Sequence, residues 1–304
     1  MIQRFFSLLL LGALTAISAY ADDKGVTIYL TDGTHKQYRI SDIDSIVYDE
    51  YYEEVEPQYL NGHEYVDLGL SVKWAACNVG ADSAYQTGYY MAWADTVGYV
   101  DYMVDEHAFS YSTYKYCNGM SNTLTKYCSN AYYGYEGYTD ELTSLLPDDD
   151  AALHYMGEGW QTPTRKQMLE LKNNCYWCYT DNYRNTSVPG YVIYKVKNDN
   201  DRGIYPGSGK EPTAKYSLRN VHIFLPLAGY RRAEGGQNTT NFDADGVWAR
   251  GKSGLYLTAD IDTGSPESAY ILNLKSNTLG VNSTGAYRYY GCTVRAVCSP
   301  EVTE

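Results

Sequence analysis

Phenylalanine is scarce in this sequence, with 5 residues against 35 tyrosines. Tyrosine offers a large contact area, little rotamer entropy and a polar hydroxyl, a combination typical of surfaces that bind ligands while remaining hydrated. Half-buried positions in sheets would account for many of these tyrosines equally well. That account fits poorly at residues 99–138, where ten tyrosines lie among Ser, Asn, Gly and Thr with little apolar periodicity.

Basic residues are also few. The sequence has 24 Lys and Arg residues against 37 Asp and Glu residues, which gives a formal net charge of −13. An acidic surface repels the phosphates of nucleic acids and the headgroups of anionic lipids. We therefore expect no nucleic-acid partner.

Long apolar runs are lacking beyond the start of the chain. Residues 1–21 combine Arg4, a short apolar run and Ala19-Tyr20-Ala21, the pattern of a cleaved signal peptide. The alternative is an N-terminal membrane anchor, which needs about 20 apolar residues. No cysteine follows the run, so the usual bacterial lipid-anchor signal is missing. We expect an exported protein with no membrane span after signal cleavage.

Recognisable catalytic motifs lack their sequence context. The five histidines are scattered, and no G-x-S-x-G is present. Residues 246–253 match the phosphate-loop spacing, but polar residues precede them and a strand-like GLYLTAD overlaps their end and continues beyond it, where a helix is required. Cys175 and Cys178 have dithiol spacing, yet they close a helix instead of opening one. The sequence predicts no enzymatic activity, with an enzyme acting on exterior polysaccharide as a remote alternative.

Seven cysteines are present, an odd number that leaves at least one unpaired. Cys117 and Cys128 are candidates for a loop-closing disulfide. Cys175 and Cys178 are interpreted either as a local disulfide or as two partly buried thiols.

The pattern of apolar residues indicates one small unit followed by one large domain. Residues 22–48 are predicted to form a β unit with a hairpin turn at Asp32-Gly33 and a third short strand that includes Ile43, Ile46 and Val47. Residues 49–58 form an acidic linker, residues 59–298 the large domain and residues 299–304 a tail.

Two helices are predicted in the large domain. Thr164 and Gln167 form a capping box before an apolar stripe that ends near residue 174. A shorter helix is predicted to begin near residues 148–150 and to continue through AALHYM. Strands are predicted at residues 191–194, 221–225, 254–261, 269–274 and 289–297, separated by long loops. The predicted fold class is α+β, with small antiparallel sheets.

Several segments resemble a known family. YVDLGLSVKWAACNVGA, DDDAA, GWQTPTRKQMLEL, NCYW, IFLPLAGYR, GLYLTAD and GCTVRAV occur in the order expected of the Fibrobacter succinogenes major paralogous domain, which is common in exported proteins of Bacteroidetes. The resemblance covers roughly residues 60–297. It implies a C-type lectin-like fold related to the formylglycine-generating enzymes, and a location that is secreted, at the cell surface or in the periplasm of a Gram-negative bacterium.

The resemblance also implies that the two ends of the domain pair, with Glu64 to Lys73 lying against Thr293 to Val297. Two features depart from the family pattern. Leu257-Thr258 replaces an aromatic Trp-Ser-Ser, and the loop at 198–220 is longer than usual. Residues 248–277 contain no cysteine, so the oxidase activity of the formylglycine-generating enzymes is not expected.

Calcium is the one candidate cofactor. Asn241, Asp243 and Asp245 match the first half of a calcium loop, but Lys252 stands where a bidentate carboxylate is required. Asp199 and Asp201 form a second acidic loop with enough oxygens for calcium. Solvated turn residues explain both loops as well. The Glu-Pro-Asn triplet of sugar-binding C-type lectins is absent.

These features predict a non-catalytic exported or cell-surface protein that binds an extracellular glycan or protein through loops. The predicted contact residues are Tyr256, Tyr287, Tyr289 and Tyr290, and sheet packing is the alternative role for each. One alternative function is a variable protein of a diversity-generating retroelement, diversified within residues 254–295. Another is a structural subunit of a surface assembly, joined through the edge of the unit at residues 26–48.

Overall fold

The structure is a computed structural model that describes residues 24–30, 32–46, 56–100, 109–213, 215–232, 246–282 and 286–299. The chain divides into two compact units, Met1–Glu53 and Glu54–Glu304. Within the described residues, none of the helices is long and apolar enough to cross a membrane.

The first unit contains the predicted hairpin. Strands β1 (Gly25–Tyr29) and β2 (His35–Arg39) pair antiparallel, with Val26 opposite Tyr38. The turn depends on Gly33, whose positive φ of 85° favours glycine, and on Asp32, whose carboxylate accepts hydrogen bonds from Thr34. The predicted third strand is wrong for Ile43 and Ile46, because a short 3₁₀ turn, residues 40–42, follows β2 instead; Val47 lies outside the described residues.

The second unit combines two helices with three small sheets in its described residues, which confirms an α+β fold that is mostly sheet. Its helices are α1 (Ala151–Met156) and α2 (Arg165–Asn174). Its strands are β3 (Gln58–Leu60), β4 (His63–Val66), β5 (Lys73–Ala75), β6 (Trp160–Gln161), β7 (Tyr176–Thr180), β8 (Gly190–Tyr194), β9 (His222–Pro226), β10 (Ser253–Ile261), β11 (Ala269–Lys275), β12 (Thr278–Asn282) and β13 (Val297–Cys298).

The beginning and the end of the second unit share one antiparallel sheet, of order β3-β4-β5-β13-β6. Val297 lies opposite Trp74, and Cys298 lies opposite Lys73. The predicted pairing of the two ends is therefore present, but β5 makes it and β4 lies one strand further away. The backbone N–H of Val79 extends the contact by donating to the carbonyl of Val294 at 3.0 Å.

Both predicted helices are confirmed, together with the residues that start them. The Thr164 hydroxyl accepts from the backbone N–H of Gln167, and the Gln167 side chain accepts from the backbone N–H of Thr164. The Asp150 carboxylate accepts from the backbone N–H of Ala152 at the start of α1. These bonds satisfy donors that the first turn of a helix leaves free.

The later strands agree with the sequence pattern except at three places, one of which is β12, a strand that the pattern did not predict. Strand β7 begins directly after Cys175, where the pattern had indicated the end of a helix, and it pairs with β8 in the sheet β7-β8-β9. Residues 289–296 form isolated bridges instead of a continuous strand, with Met91 paired to Cys292 and Tyr256 to Thr293.

The main apolar core lies between α2 and the sheets β7-β8-β9 and β10-β11-β12. Its fully buried side chains include Met168, Leu171, Trp177, Leu225 and Leu272. A second core surrounds Trp93 and includes residues of α1. Both cores leave the loops between the strands to form the outer surface.

All seven cysteines are free thiols. The predicted Cys117–Cys128 disulfide is therefore wrong: the Cys117 thiol donates to the carbonyl of Tyr111 at 2.8 Å, and the Cys128 thiol to that of Asn130 at 3.2 Å. Burial raises the pKa of Cys175 to about 12 and that of Cys178 to about 11, which leaves both thiols protonated at neutral pH.

Candidate functional site

Tyr256 is fully buried, so the prediction that it contacts a ligand is wrong. It lies in β10, and its hydroxyl donates to the carbonyl of Pro226 in β9 at 2.7 Å. Burial raises its pKa to about 12. Strand β10 is buried on both of its faces, so this ring packs inside the unit, which was the alternative role considered for it.

The other three predicted tyrosines lie together and are joined by Tyr111. The rings of Tyr287 and Tyr289 are nearly parallel, with centroids 5.7 Å apart and an interplanar angle of 8°. Tyr111 lies edge-on to both, 4.6 Å from Tyr289 and 6.1 Å from Tyr287. Tyr290 approaches Tyr289 edge-on at 4.9 Å. We call these four residues the tyrosine cluster.

The members of the tyrosine cluster differ in exposure. Tyr287 is 40% exposed, Tyr111 and Tyr289 are half-buried, and Tyr290 is only 6% exposed. The hydroxyl of Tyr290 accepts a hydrogen bond from the Arg232 guanidinium at 3.1 Å. Tyr290 therefore packs beneath the cluster, and the prediction that it contacts a ligand is wrong, whereas the other three rings are at least partly exposed.

Two distant chain segments are held together beneath the cluster by Arg288, which is fully buried. Its guanidinium donates to the Tyr114 hydroxyl at 2.9 Å and to the carbonyls of Tyr127, Pro266 and Lys126 at 3.0 to 3.1 Å. Arg288 is buried, whereas its neighbour Tyr287 is exposed and Tyr289 is half-buried. The arginine thus fixes the loop that carries three of the four rings.

Glu267 brings a carboxyl group to the same place. The hydroxyl of Tyr111 donates to its backbone carbonyl at 3.1 Å, and Ser268 forms a bridge with Tyr287. The Glu267 Oε2 atom is buried and has no hydrogen-bond partner among the described residues. Burial raises the pKa of this carboxyl group. An unpaired buried oxygen is costly, and it favours the protonated form of this carboxyl group.

Two hydroxyls of the cluster are held neutral by their surroundings. Burial raises the pKa of Tyr111, with a further contribution from the nearby Glu267 carboxylate, and burial likewise raises the pKa of Tyr289. A neutral phenol can both donate and accept hydrogen bonds. The cluster therefore offers flat apolar rings edged by polar groups.

The calcium prediction is wrong for the loop that contains Asp199 and Asp201. The Asp201 carboxylate is buried, and it accepts hydrogen bonds from Lys215 Nζ at 2.7 Å, from the Tyr216 hydroxyl at 2.8 Å and from Asn198 at 2.9 Å. Asp199 instead pairs with Arg202 at 2.8 Å. A lysine ammonium therefore occupies the place of a cation, and these contacts lower the pKa of Asp201 against the opposing effect of burial.

The other predicted calcium ligands, Asn241, Asp243 and Asp245, lie outside the described residues. Within the described part of the chain, no three His, Cys, Asp or Glu side chains are grouped so that they could hold a metal ion.

Sequence reasoning missed Tyr111 and Glu267. Tyr111 belongs to the tyrosine-rich stretch, but nothing local indicates that it meets residues more than 170 positions later. Glu267 stands between a proline and a serine in an ordinary turn sequence. Only the fold brings these residues together.

Comparison of the chain with models of protein families, with curated proteins and with solved structures gave no match.

Proposed function

We propose that this chain is a non-catalytic exported protein whose second unit binds an extracellular glycan through the tyrosine cluster. The observation that carries the proposal is the meeting of Tyr111, Tyr287 and Tyr289 in one contiguous, partly exposed set of rings. The export follows from the signal-peptide pattern at residues 1–21.

The chemistry of the tyrosine cluster suits a sugar. A pyranose has an apolar face of C–H groups that packs on an aromatic ring, and hydroxyls around its edge that need polar partners. Tyr287 offers the exposed ring. The phenol hydroxyls of Tyr287 and Tyr289 can each donate and accept hydrogen bonds with sugar hydroxyls. The rings lose little entropy on binding because their neighbours already hold them.

A C-type lectin-like fold for the second unit is part of the proposal. Three features support it: the first and last strands of the unit share one sheet, two helices precede a strand-rich second half, and long loops lie between the strands. In such a fold, the loops between paired ends are gathered on one face and are free to carry a binding site.

A glycan array probed with the mature chain tests the proposal, followed by titration of the strongest ligand. Replacing Tyr287 with alanine is expected to weaken binding at least about tenfold, as for an aromatic residue at the centre of an interface. Tyr132, which is 74% exposed and contacts Tyr133, provides the matched control: Tyr132→Ala should leave the affinity unchanged. An array without binding, or equal affinities for both variants, would overturn the proposal.

A further inference from the structure

A concave surface lies beside the sheet that joins the two ends of the second unit, and none of the residues of the tyrosine cluster line it. It is a cleft of about 600 Å³, within the usual range for small-ligand sites. Three tyrosines, Tyr59, Tyr89 and Tyr155, and two carboxylates, Glu64 and Asp82, line it. We call it the acidic cleft.

The carboxylates of the acidic cleft are not neutralised within the chain. Glu64 and Asp82 are exposed, and neither carboxylate has a hydrogen bond or ion pair with any described residue. No lysine or arginine is among the described residues that line the cleft. One buried guanidinium, that of Arg295, lies behind the cleft floor, where it donates to Asn78 and to the carbonyls of Ala75 and Ala76. The cleft therefore has two exposed carboxylates on its lining and one buried guanidinium behind its floor.

Close packing holds the two tyrosines that form the aromatic wall of the cleft, Tyr89 and Tyr155. The rings of Tyr89 and Tyr155 lie 5.0 Å apart, and the Tyr155 hydroxyl accepts from the backbone N–H of Gly98 at 3.0 Å. A Cβ atom at Gly80 would come within 2.4 Å of the Tyr89 ring, and one at Gly98 within 2.7 Å. Because the two glycines have no side chain, the Tyr89 ring packs closely against them and is held in place. This wall of the cleft is therefore formed before a ligand binds.

A cysteine, Cys77, also lines the cleft. Burial raises the pKa of its thiol, the nearby Arg295 guanidinium acts in the opposite direction, and the Glu64 and Asp82 carboxylates raise the pKa further, so the thiol stays protonated. Such a thiol is a poor nucleophile and a poor metal ligand. The cleft is therefore suited to binding and not to thiol chemistry.

From this arrangement we propose that the acidic cleft binds an organic ammonium ion, such as the protonated amino group of a lysine side chain. Aromatic faces attract cations, and carboxylates pair with them. The alkyl chain that carries the ammonium group packs against the rings of Tyr59 and Tyr89. This site uses none of the residues of the tyrosine cluster and does not depend on the proposed glycan binding.

Calorimetric titration of the mature chain with Nα-acetyl-lysine methylamide tests the site. The Nε-acetylated form of the same probe is the matched control, because it keeps the alkyl chain and loses the charge. Saturable binding of the charged probe alone is expected. Glu64→Gln and Asp82→Asn should each weaken it about two- to fivefold, the usual effect of an exposed charge pair. Asp181→Asn removes an exposed carboxylate that does not line the cleft and should have no effect.

Absent binding, equal binding of the two probes, or an affinity unchanged in the Glu64→Gln/Asp82→Asn double variant would overturn this assignment. Tyr287→Ala should leave lysine-probe binding intact, which separates failure of this site from failure of the glycan site.

Discussion

The tyrosine-rich segment, residues 109–138, and the helix-and-sheet region around α2 are both well packed, but they bury different side chains. Around α2 the interior is apolar and consists of residues such as Leu171 and Leu272. Beneath the tyrosine-rich segment lies the carboxylate of Asp149, whose side chain is 2% exposed. It accepts hydrogen bonds from Lys126 Nζ at 2.5 Å, from Lys115 Nζ at 3.0 Å and from the hydroxyls of Tyr116 and Tyr127.

This difference follows from the backbone. In the helix-and-sheet region, ladders and helical turns satisfy the buried N–H and C=O groups, so the side chains there can be apolar. The tyrosine-rich segment has little regular structure, and side chains must satisfy its backbone groups instead. Arg288 does so for the carbonyls of Lys126 and Tyr127. An irregular segment can thus be rigid if a few charged side chains replace the missing ladders.

The largest effect is expected when Arg288 is replaced by methionine. Three carbonyls and the Tyr114 hydroxyl would lose their donor in a buried place, and we expect the free energy of unfolding to fall by about 4 kcal/mol. Urea unfolding followed by tryptophan fluorescence measures this, because the guanidinium lies 4.9 Å from the Trp93 ring centroid. Arg288→Lys keeps the charge without the fork of donors and should recover little. A loss below about 1 kcal/mol would show that the segment is held by other contacts.

A smaller loss is expected for Leu272→Ala in the apolar region. Leu272 is fully buried in β11, and its removal costs both transfer free energy and a cavity, about 3 kcal/mol in total. The same urea experiment measures it. Leu218, which is 41% exposed, serves as the control, and Leu218→Ala should change stability by less than about 0.5 kcal/mol. If Leu272→Ala were as mild as the control, the apolar region would not be tightly packed around Leu272.

The regular elements were predictable because their signals are local. The capping box at Thr164 and Gln167 and the turn at Asp32-Gly33 each lie within four residues of the element they define. Strand β7 was missed because Tyr176 to Thr180 directly continues the apolar pattern of α2 and contains no turn residue that would separate the two.

The site residues were less predictable because their partners are distant in the chain. In the sequence, Asp201 resembles a calcium ligand. In the structure, its carboxylate instead accepts a hydrogen bond from Lys215, which lies fourteen positions later in the chain. Tyr256 and Tyr287 look alike in sequence, yet one lies in a strand that is buried on both faces and the other on a loop. Alternation shows which side chains of a strand share a face, but it does not show whether the rest of the chain covers one face or both.

The pH dependence of the stability of the Asp149→Asn variant is a further test of the difference between the two regions. Desolvation opposes ionisation of Asp149, but the ammonium groups of Lys126 and Lys115 and the hydroxyls of Tyr116 and Tyr127 outweigh it, so its pKa lies far below the ordinary value of 3.8. A carboxylate with a lowered pKa in the folded state stabilises that state at any pH above the ordinary value, and the contribution is lost as the pH falls through the folded-state pKa. At pH 7 we expect Asp149→Asn to cost about 2 kcal/mol, since the buried hydrogen bonds remain only in part. The difference in the free energy of unfolding between the wild type and the variant should be constant from about pH 7 to pH 5 and should narrow below about pH 4.

Leu272→Ala is the control. Its loss of stability involves no titrating group and should not change over the same range. Urea titrations at successive pH values would measure both gaps, and parallel curves for the two variants would mean that Asp149 does not hold the tyrosine-rich segment through its charge.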